Sequence, residues 1–248
     1  MNMAWNWLRR SIWPRVGLTL LGLLVIGALL SYAGIIWPNS WFVGHDSTQG
    51  FDVSSYQKQI DWKEVAQTGT YSFVFIKATE GRTYQDAYFQ ANWRGAKEQG
   101  LLRGAYHFYT EYLTGAEQAN NYIHMVPKEA GMLPPVLDLE VTGKDQKKML
   151  HEIQVFLDML EQHYGLKPII YTDFDRYEQY IKGHFENYSI WFRNIIYPVQ
   201  WSNIPNWSFW QYSNRGHVPG ISGFVDLNMF SGKRDQLKAL TQQTFSQH

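Results

Sequence analysis

The sequence predicts an irregular α/β barrel of eight strands preceded by one transmembrane helix. Two observations predict the barrel: short aliphatic and aromatic runs bounded by turn residues recur along the chain, and helical stretches alternate with the first of them. A third observation predicts the membrane helix, because the first forty residues contain a long segment without charge. At 248 residues the chain is long enough for one barrel domain.

The composition excludes several classes of function. Lysine plus arginine and aspartate plus glutamate each total 22, so the formal net charge is zero and no nucleic acid is expected as a partner. The chain has no cysteine, which excludes disulfides, thiol nucleophiles and cysteine-ligated metals. Aromatic residues make up 17%, which suits either a sugar-binding surface or a large aromatic core.

The segment from Val16 to Ile36 is uncharged and, as a helix, is about 32 Å long, the thickness of one hydrocarbon core. Arginines precede it and tryptophans flank both ends, so the sequence predicts a single-pass signal anchor. The alternative is a signal peptide cleaved near Ala33, where Ser-Tyr-Ala offers small residues. Both interpretations place the following domain outside the cytoplasm.

Five regions are expected along the chain. They are a cytoplasmic N-terminus (1–15), a transmembrane helix (16–37), a polar linker (38–49), the barrel domain (50–240) and a C-terminal tail (241–248). Just before the tail, residues 233–240 ("KRDQLKAL") have the pattern of an amphipathic helix that closes the domain.

Eight runs are predicted as strands because each is short, aliphatic or aromatic, and bounded by Gly, Pro, Asn or Asp. In order they are "GFDVS", "SFVFIKATE", "LRGAYHFY", "PPVLDLE", "KPIIYT", "YSIWFRN", "WSFWQYS" and "VDLNMF". Helical spacing separates the first five, most clearly over Asp145 to Tyr164, which is followed by Gly165 as a C-cap.

The pattern changes after the fifth or sixth strand. "IIYPVQWSNIPN" and "NRGHVPGISGF" are Pro- and Gly-rich connections without helical periodicity. Alternating strands and helices indicate parallel pairing, so we expect a barrel whose last strands are joined by loops, with some antiparallel pairing. A doubly wound open sheet is the alternative, but the glycine-rich phosphate loop typical of that class does not occur.

Polar residues accumulate at the predicted strand ends, which form the working face of an α/β barrel. They are Asp52, Lys77, Glu80, Tyr106, His107, Asp138, Glu140, Tyr171, Asp173, Gln211 and Asp226. Each alone is compatible with an ordinary strand end, but this many carboxylates on one rim of a neutral protein indicate a site. Trp191 and Trp210 are compatible with either sugar stacking or barrel packing, because only alternate residues of a strand face inward.

Asp138 and Glu140 have the clearest geometry. Residues two apart in a strand point to the same face, about 6.6 Å apart along the backbone, so both acids face the barrel axis. Two neighbouring carboxyls with little water raise the pKa of one of them. A neutral acid beside an ionised carboxylate is what cleavage of a glycosidic bond requires. The alternative is a solvated strand end.

Other chemistries are less well supported by the residues. His107 with Asp138, Glu140 and Asp226 is a conceivable metal site, but no HExxH or similar ligand spacing occurs, so no metal is expected. The G-x-S-x-G turn of serine hydrolases does not occur either.

Seven motifs in order resemble the glycoside hydrolase family 25 lysozymes, the Chalaropsis-type muramidases. They are "GFDVSSYQKQIDW", "FVFIKATEG", "GAYHFY", "VLDLE", "IIYT", "FWQYS" and "VPGISGFVDLN", and they cover Gly50 to Phe230. The resemblance implies an irregular TIM-like (β/α)5(β)3 barrel and hydrolysis of the β-1,4 bond between N-acetylmuramic acid and N-acetylglucosamine. It implies peptidoglycan as the substrate and no cofactor. Together with the predicted signal anchor, this substrate predicts a place at the bacterial cytoplasmic (inner) membrane with the domain on the periplasmic or extracellular side, or secretion if the segment is cleaved near Ala33.

The resemblance also implies roles for the four matched acids. Glu140 matches the family's proton donor, and Asp138 matches the carboxylate that orients or stabilises the substrate's acetamido group, which itself can attack the anomeric carbon. Asp52 and Asp226 match supporting carboxylates, one of which is the alternative direct nucleophile. The expected substrate-binding residues are Tyr106, Tyr171, Trp191, Arg193, Gln211, Lys77 and Glu80.

One strand departs from the family pattern. The family's sixth strand usually carries a Trp-x-Ala-x-Tyr type motif, whereas this chain has "IWFRNI" from Ile190, which introduces Arg193 and Asn194. An arginine there favours an anionic lactyl or peptide carboxylate. The competing functions are a catalytically weak wall-binding or scaffold protein and a hydrolase of another N-acetylated glycan such as chitin.

Overall fold

The computed structural model describes residues 2–44 and 46–242, with side chains over 13–44 and 46–241. The described chain divides into two units between Trp37 and Pro38. The last residues of the predicted tail, 243–248, lie outside the described residues.

The first unit is the helix α1 (Asn2–Tyr32). Its part Trp13–Tyr32 has a mean hydropathy of 1.8 and is long and apolar enough to cross a membrane. Helix α1 begins ahead of the predicted segment 16–37 and ends at Tyr32, because Gly34 adopts the left-handed conformation (φ 70°) that terminates helices.

The second unit contains the strands and the remaining helices. Its strands are β1 (Thr48–Val53), β2 (Tyr71–Glu80), β3 (Tyr84–Gln85), β4 (Leu102–Phe108), β5 (Val136–Leu139), β6 (Ile169–Thr172), β7 (Ser189–Arg193), β8 (Trp207–Gly216) and β9 (Val225–Phe230). Its helices are α2 (Trp62–Gln67), α3 (Phe89–Glu98), α4 (Gly115–Met125), α5 (Gln146–Tyr164), α6 (Phe174–Arg176) and α7 (Arg234–Ala239). The eight predicted strands and the predicted helices are present, and β3 is an additional short strand.

The sheet closes into a barrel. Within the described residues the strand order is β1-β9-β8-β7-β6-β5-β4-β2, and β1 pairs with β2 to complete the circle. The pairings β1–β2, β2–β4, β4–β5, β5–β6, β6–β7 and β7–β8 are parallel, whereas β9 is antiparallel to both β8 and β1, and the short β3 is antiparallel to β2. The predicted irregular barrel is therefore confirmed, and the five helices α2 to α6 precede the three strands joined by loops.

Alternate residues of each strand face two different cores. Phe73 and Phe75 belong to the cluster inside the barrel, whereas Val74 and Ile76 belong to the cluster beneath the helices. The interior is filled mainly by aromatic rings, and Gly104 makes room for them, since a Cβ there would lie 2.5 Å from the Phe75 ring.

The bottom of the barrel is closed by the predicted C-terminal helix. Leu237 of α7 is fully buried among Phe73, Phe209 and Phe230 of the interior cluster. At the opposite end, where the parallel strands have their carboxyl ends, the barrel is not covered by α7.

The segment predicted as a linker, 38–49, packs on the barrel over part of its length. Residues Pro38–Phe42 form a short 3-10 helix, and the Asn39 side chain is buried. Its amide donates to the backbone carbonyls of Asn194 (3.0 Å) and Tyr212 (3.2 Å). These hydrogen bonds join residues 155 and 173 positions apart, so no pattern of neighbouring residues in the sequence predicts them.

Candidate active site

A cavity of about 170 Å³ opens at the carboxyl ends of the parallel strands. Because β9 is antiparallel, its first residues reach the same rim. The cavity is lined by Asp52, Lys77, Tyr106, Phe108, Asp138, Glu140, Tyr171, Trp191, Gln211 and Asp226. The four acids and most of the predicted substrate-binding residues thus lie together; Glu80 and Arg193 do not line this cavity.

Asp138 and Glu140 both face the cavity, as the strand periodicity predicts. Leu137 and Leu139 point the other way, into the cluster under the helices. Asp138 is buried in β5, whereas Glu140 follows the last residue of the strand and is half-exposed. Glu140 is therefore the more accessible acid of the pair.

The Asp138 carboxyl lacks a hydrogen bond from the protein at one of its oxygens. Its Oδ1 atom is buried and has no hydrogen-bond partner among the described residues. Burial raises the pKa of Asp138 well above its ordinary value; the charges of Glu140 and Asp52 raise it further, and Lys77 opposes them. Asp138 therefore holds a proton at pH values where an exposed aspartate is ionised.

Asp52 and Asp226 face each other across the β1–β9 pair. Burial raises the pKa of Asp52 well above its ordinary value, and Asp226 adds to this. Burial likewise raises the pKa of Asp226 to about 6, with Arg193 acting in the opposite direction. Carboxyls crowded at one rim disfavour each other's ionisation, so the cavity binds protons readily.

Two buried amides hold Asp52. Its Oδ2 atom accepts hydrogen bonds from Asn228 Nδ2 (2.7 Å) and Gln211 Nε2 (3.2 Å). Trp191 Nε1 donates to Asn228 Oδ1 (2.8 Å), and Tyr171 Oη donates to Gln211 Oε1 (2.9 Å). Each amide oxygen is thus occupied, which turns both NH2 groups toward the carboxylate.

Asn228 was missed by the sequence reasoning. It lies two residues after Asp226 in β9, so the period of two in "VDLN" places it on the same face. That signal was available, but its contact with Asp52 spans 176 positions and requires the antiparallel register.

The two tryptophans that the sequence left open lie on opposite sides of the barrel wall. Trp191 is in the interior cluster, stacked on Phe75 with ring centroids 4.5 Å apart, and only 2% exposed. Trp210 is in the outer cluster, where its Nε1 donates to the Asn194 carbonyl (2.9 Å). Trp210 is therefore a packing residue, and Trp191 supports the cavity from below.

Glu80 supports Lys77. The Lys77 Nζ atom lies 2.8 Å from Glu80 Oε2 and 5.0 Å from the centroid of the Phe108 ring. The register of β2 against β4 shifts between Lys77 and Thr79, and this irregularity returns Glu80 to the side of Lys77. A cation is thereby fixed in the cavity wall near Asp138.

Arg193 lies at the end of β7, opposite Gln211 in register. It lines a second, shallower groove of about 180 Å³ together with Asp173, Phe174, Asp175 and residues 194–197. Within the described residues its guanidinium makes no ion pair, although its charge lowers the pKa of Asp226. The group is therefore available to an anionic part of a ligand.

His107 does not face the carboxylates. It is fully buried in the outer layer, where Nδ1 lies 2.7 Å from Thr79 Oγ1 and Nε2 lies 3.2 Å from Gln118 Oε1. Burial lowers its pKa to about 4, so it stays neutral. The arrangement is that of a structural histidine between the sheet and α4.

A larger groove of about 660 Å³ lies between residues 59–64 and 220–222. Its acid Asp61 caps α2, with Oδ1 accepting from the Glu64 backbone amide (3.0 Å). Since Asp61 and Glu64 are both exposed, the groove lacks the crowded, desolvated carboxyls of the rim cavity.

The sequence and the fold of the chain both match known proteins. The family model described as "Glycosyl hydrolases family 25" matches residues 51–221. The protein YegX of Escherichia coli K12 is 39% identical over 195 residues, 77% of this chain and 72% of the relative. Lysozyme M1 of Streptomyces globisporus is 34% identical over 212 residues, 79% of this chain and 72% of the relative.

Among solved structures, a family 25 glycosyl hydrolase from Bacillus anthracis has a TM-score of 0.73 at 37% identity. The match covers 77% of this chain and 92% of that structure. The chain belongs to the glycosyl hydrolases of family 25. It is a glycoside hydrolase of the lysozyme type, as the ordered motifs predicted.

Proposed function

We propose that the barrel cleaves the β-1,4 bond between N-acetylmuramic acid and N-acetylglucosamine in peptidoglycan, with Glu140 as the proton donor. The observation that carries this proposal is the pair of carboxyls at the end of β5 that line the rim cavity, with Asp138 buried and Glu140 half-exposed. The relatives named lysozyme and N,O-diacetylmuramidase support the substrate class.

Burial of Asp138 raises its pKa, and the neighbouring charges of Glu140 and Asp52 add to this, so a proton is readily held at Asp138 beside Glu140. Glu140, as the more accessible acid, gives a proton to the glycosidic oxygen as the bond to the anomeric carbon breaks. The leaving sugar departs as an alcohol, and the positive charge that develops on the muramic acid ring is stabilised by the ionised carboxylates.

Asp138 orients the acetamido group of the substrate. Its buried Oδ1 accepts the acetamido N–H, so the acetamido carbonyl oxygen can attack the anomeric carbon and form an oxazolinium ring. Water then opens the ring, and Glu140 accepts the proton from that water. Asp52 is less available as a nucleophile in this scheme, because its Oδ2 already accepts two hydrogen bonds and its raised pKa keeps more of the carboxyl protonated.

We infer that α1 anchors the protein in the bacterial cytoplasmic membrane, with the barrel on the outer side. The apolar length of Trp13–Tyr32 and the arginines before it support the anchor. Mass analysis of the mature protein extracted from membranes tests it: the intact N-terminus supports the anchor, and a new N-terminus near Ala33 supports cleavage and secretion.

Activity is tested by incubating the full chain with purified peptidoglycan and analysing released fragments by mass. Reducing N-acetylmuramic acid ends are expected, and Glu140→Gln should abolish them, while Glu98→Gln on the exposed end of α3 should not. Binding to peptidoglycan without release of fragments indicates a wall-binding protein. Cleavage of chitin without cleavage of peptidoglycan indicates a hydrolase of another N-acetylated glycan. A covalent glycosyl adduct on Asp52 after reaction with a fluorosugar contradicts the acetamido route.

A further inference from the structure

The chain that follows α1 is fixed to the flank of the catalytic rim. Asn39 is buried and donates to the carbonyl of Asn194, the residue after β7. The same carbonyl accepts from Trp210 Nε1, and Asn39 also donates to the carbonyl of Tyr212 in β8. Residues Pro38–Phe42 are therefore part of the barrel surface beside β7 and β8.

This flank exposes large apolar side chains. Trp41 is 76% exposed, Trp201 64% and Ile196 82%, and the Phe42 ring meets Trp201 edge-on at 5.4 Å. We refer to Trp41, Phe42, Ile196 and Trp201 as the aromatic flank. Exposed apolar residues scattered singly are ordinary, but two adjoining segments that present them together are typical of an interaction surface.

The segments that carry the aromatic flank are free of charge. No Asp, Glu, Lys, Arg or His occurs from Asn194 to Asn214, nor from Val16 to Gly44. Charged side chains resist transfer out of water, whereas tryptophan prefers the boundary between headgroups and acyl chains. Ile196 borders the groove that also holds Asp173, Asp175 and Arg193, so the uncharged part of the surface is the patch of Trp41, Phe42 and Trp201. This tryptophan-bearing patch suits a lipid boundary better than an ionic protein partner.

A short connection joins the apolar helix to the segment that carries Trp41 and Phe42. Only residues 33–37 separate the end of α1 from Pro38. A fully extended connection of that length reaches about 20 Å. If the helix spans a bilayer, the aromatic flank is confined to the vicinity of its outer surface.

We propose that the aromatic flank inserts into the outer interfacial layer of a lipid bilayer and holds the β7–β8 side of the catalytic rim against the membrane. This inference rests on the proposed membrane anchor. Its consequence is that the enzyme acts on glycan strands next to the membrane rather than throughout the wall. Arg193 directly precedes Asn194, whose carbonyl binds Asn39 of the segment that carries the flank. In this arrangement the groove lined by Arg193 lies on the membrane-facing side of the rim.

The absence of cysteine allows a direct test by site-directed spin labelling of the full chain. Single cysteines at Gln200, beside Trp201, and at Gln99, after α3 on the far side of the barrel, form a matched pair of exposed glutamines. A third label at Ile26 reports the apolar helix. The proteins are placed in vesicles of phosphatidylethanolamine and phosphatidylglycerol, and collision with oxygen is compared with collision with a water-soluble nickel chelate.

The expected result is a higher oxygen-to-nickel ratio at position 200 than at position 99, with the highest ratio at 26. The exchanges Trp41→Ser and Trp201→Ser together should remove the excess at 200 and leave the ratio at 26 unchanged. Equal ratios at 200 and 99, with 26 in the bilayer, overturn the proposal while the anchor stands. Water exposure at 26 refutes the anchor itself, and immobilisation of label 200 by peptidoglycan alone identifies a glycan-binding surface instead.

Discussion

Replacing Asp226 by asparagine is expected to stabilise the barrel at neutral pH and to leave its stability near pH 4 almost unchanged. Burial raises the pKa of Asp226 from 3.8 to about 6. The folded state thus holds this proton more tightly than the unfolded state, and stability falls as the pH rises through that interval. Asparagine is neutral at every pH and therefore escapes the cost of ionisation.

The magnitude follows from the size of the shift. A difference of about two pH units at about 1.4 kcal/mol per unit gives about 3 kcal/mol above pH 6. Removing the Asp226 charge also relieves Asp52, since Asp226 is the second cause of its raised pKa. Both effects act in the same direction, toward greater stability of the variant.

The measurement is urea unfolding of the full chain in detergent micelles between about pH 4 and pH 8, followed by the near-ultraviolet signal of the aromatic core. The matched control is Asp175→Asn, because Asp175 is 83% exposed and should show no such gain. A stability difference that is constant across the pH range, or that shrinks as the pH rises, refutes the argument from desolvation.

Three further changes test other parts of the structure. Leu237→Ala should cost about 2–5 kcal/mol of unfolding free energy, because it opens a cavity at the closed end of the barrel, and half-buried Leu240→Ala should cost less. Asn228→Ala should cost about 1–3 kcal/mol and raise the pKa of Asp52, moving the pH–activity profile to higher pH. Arg193→Ala should weaken binding of a muropeptide about tenfold or more, with little effect on a chitooligosaccharide, and Arg193→Lys should restore part of it.

Each of these expectations has an outcome that contradicts it. Equal losses for the two leucine variants would mean that α7 does not close the barrel interior. An unchanged pH profile for Asn228→Ala would mean that its hydrogen bond does not control Asp52. Equal weakening of both ligands by Arg193→Ala would remove the case for an anion-binding role.

The sequence by itself determined the strands, the main helices, and the fact that Asp138 and Glu140 point to the same face of their strand. The reason is that these features depend on neighbours in the chain: a period of two turns Asp138 and Glu140 to one face, and a period near 3.6 with Asp145 and Gly165 as caps defines α5. The ordered motifs likewise indicated the family, because they lie on successive strands.

Only the tertiary structure decided which side chains meet. The antiparallel return of β9 brings Asn228 to Asp52, and the irregularity in β2 pairs Glu80 with Lys77. The hydrogen bonds of Asn39 fix part of the predicted linker on the barrel surface beside β7 and β8. These contacts join segments through strand register and packing, and residues so far apart leave no periodic trace along the chain. The same physics separated Trp191 from Trp210, since the side of the barrel that each one faces depends on how β7 and β8 pair with their neighbours.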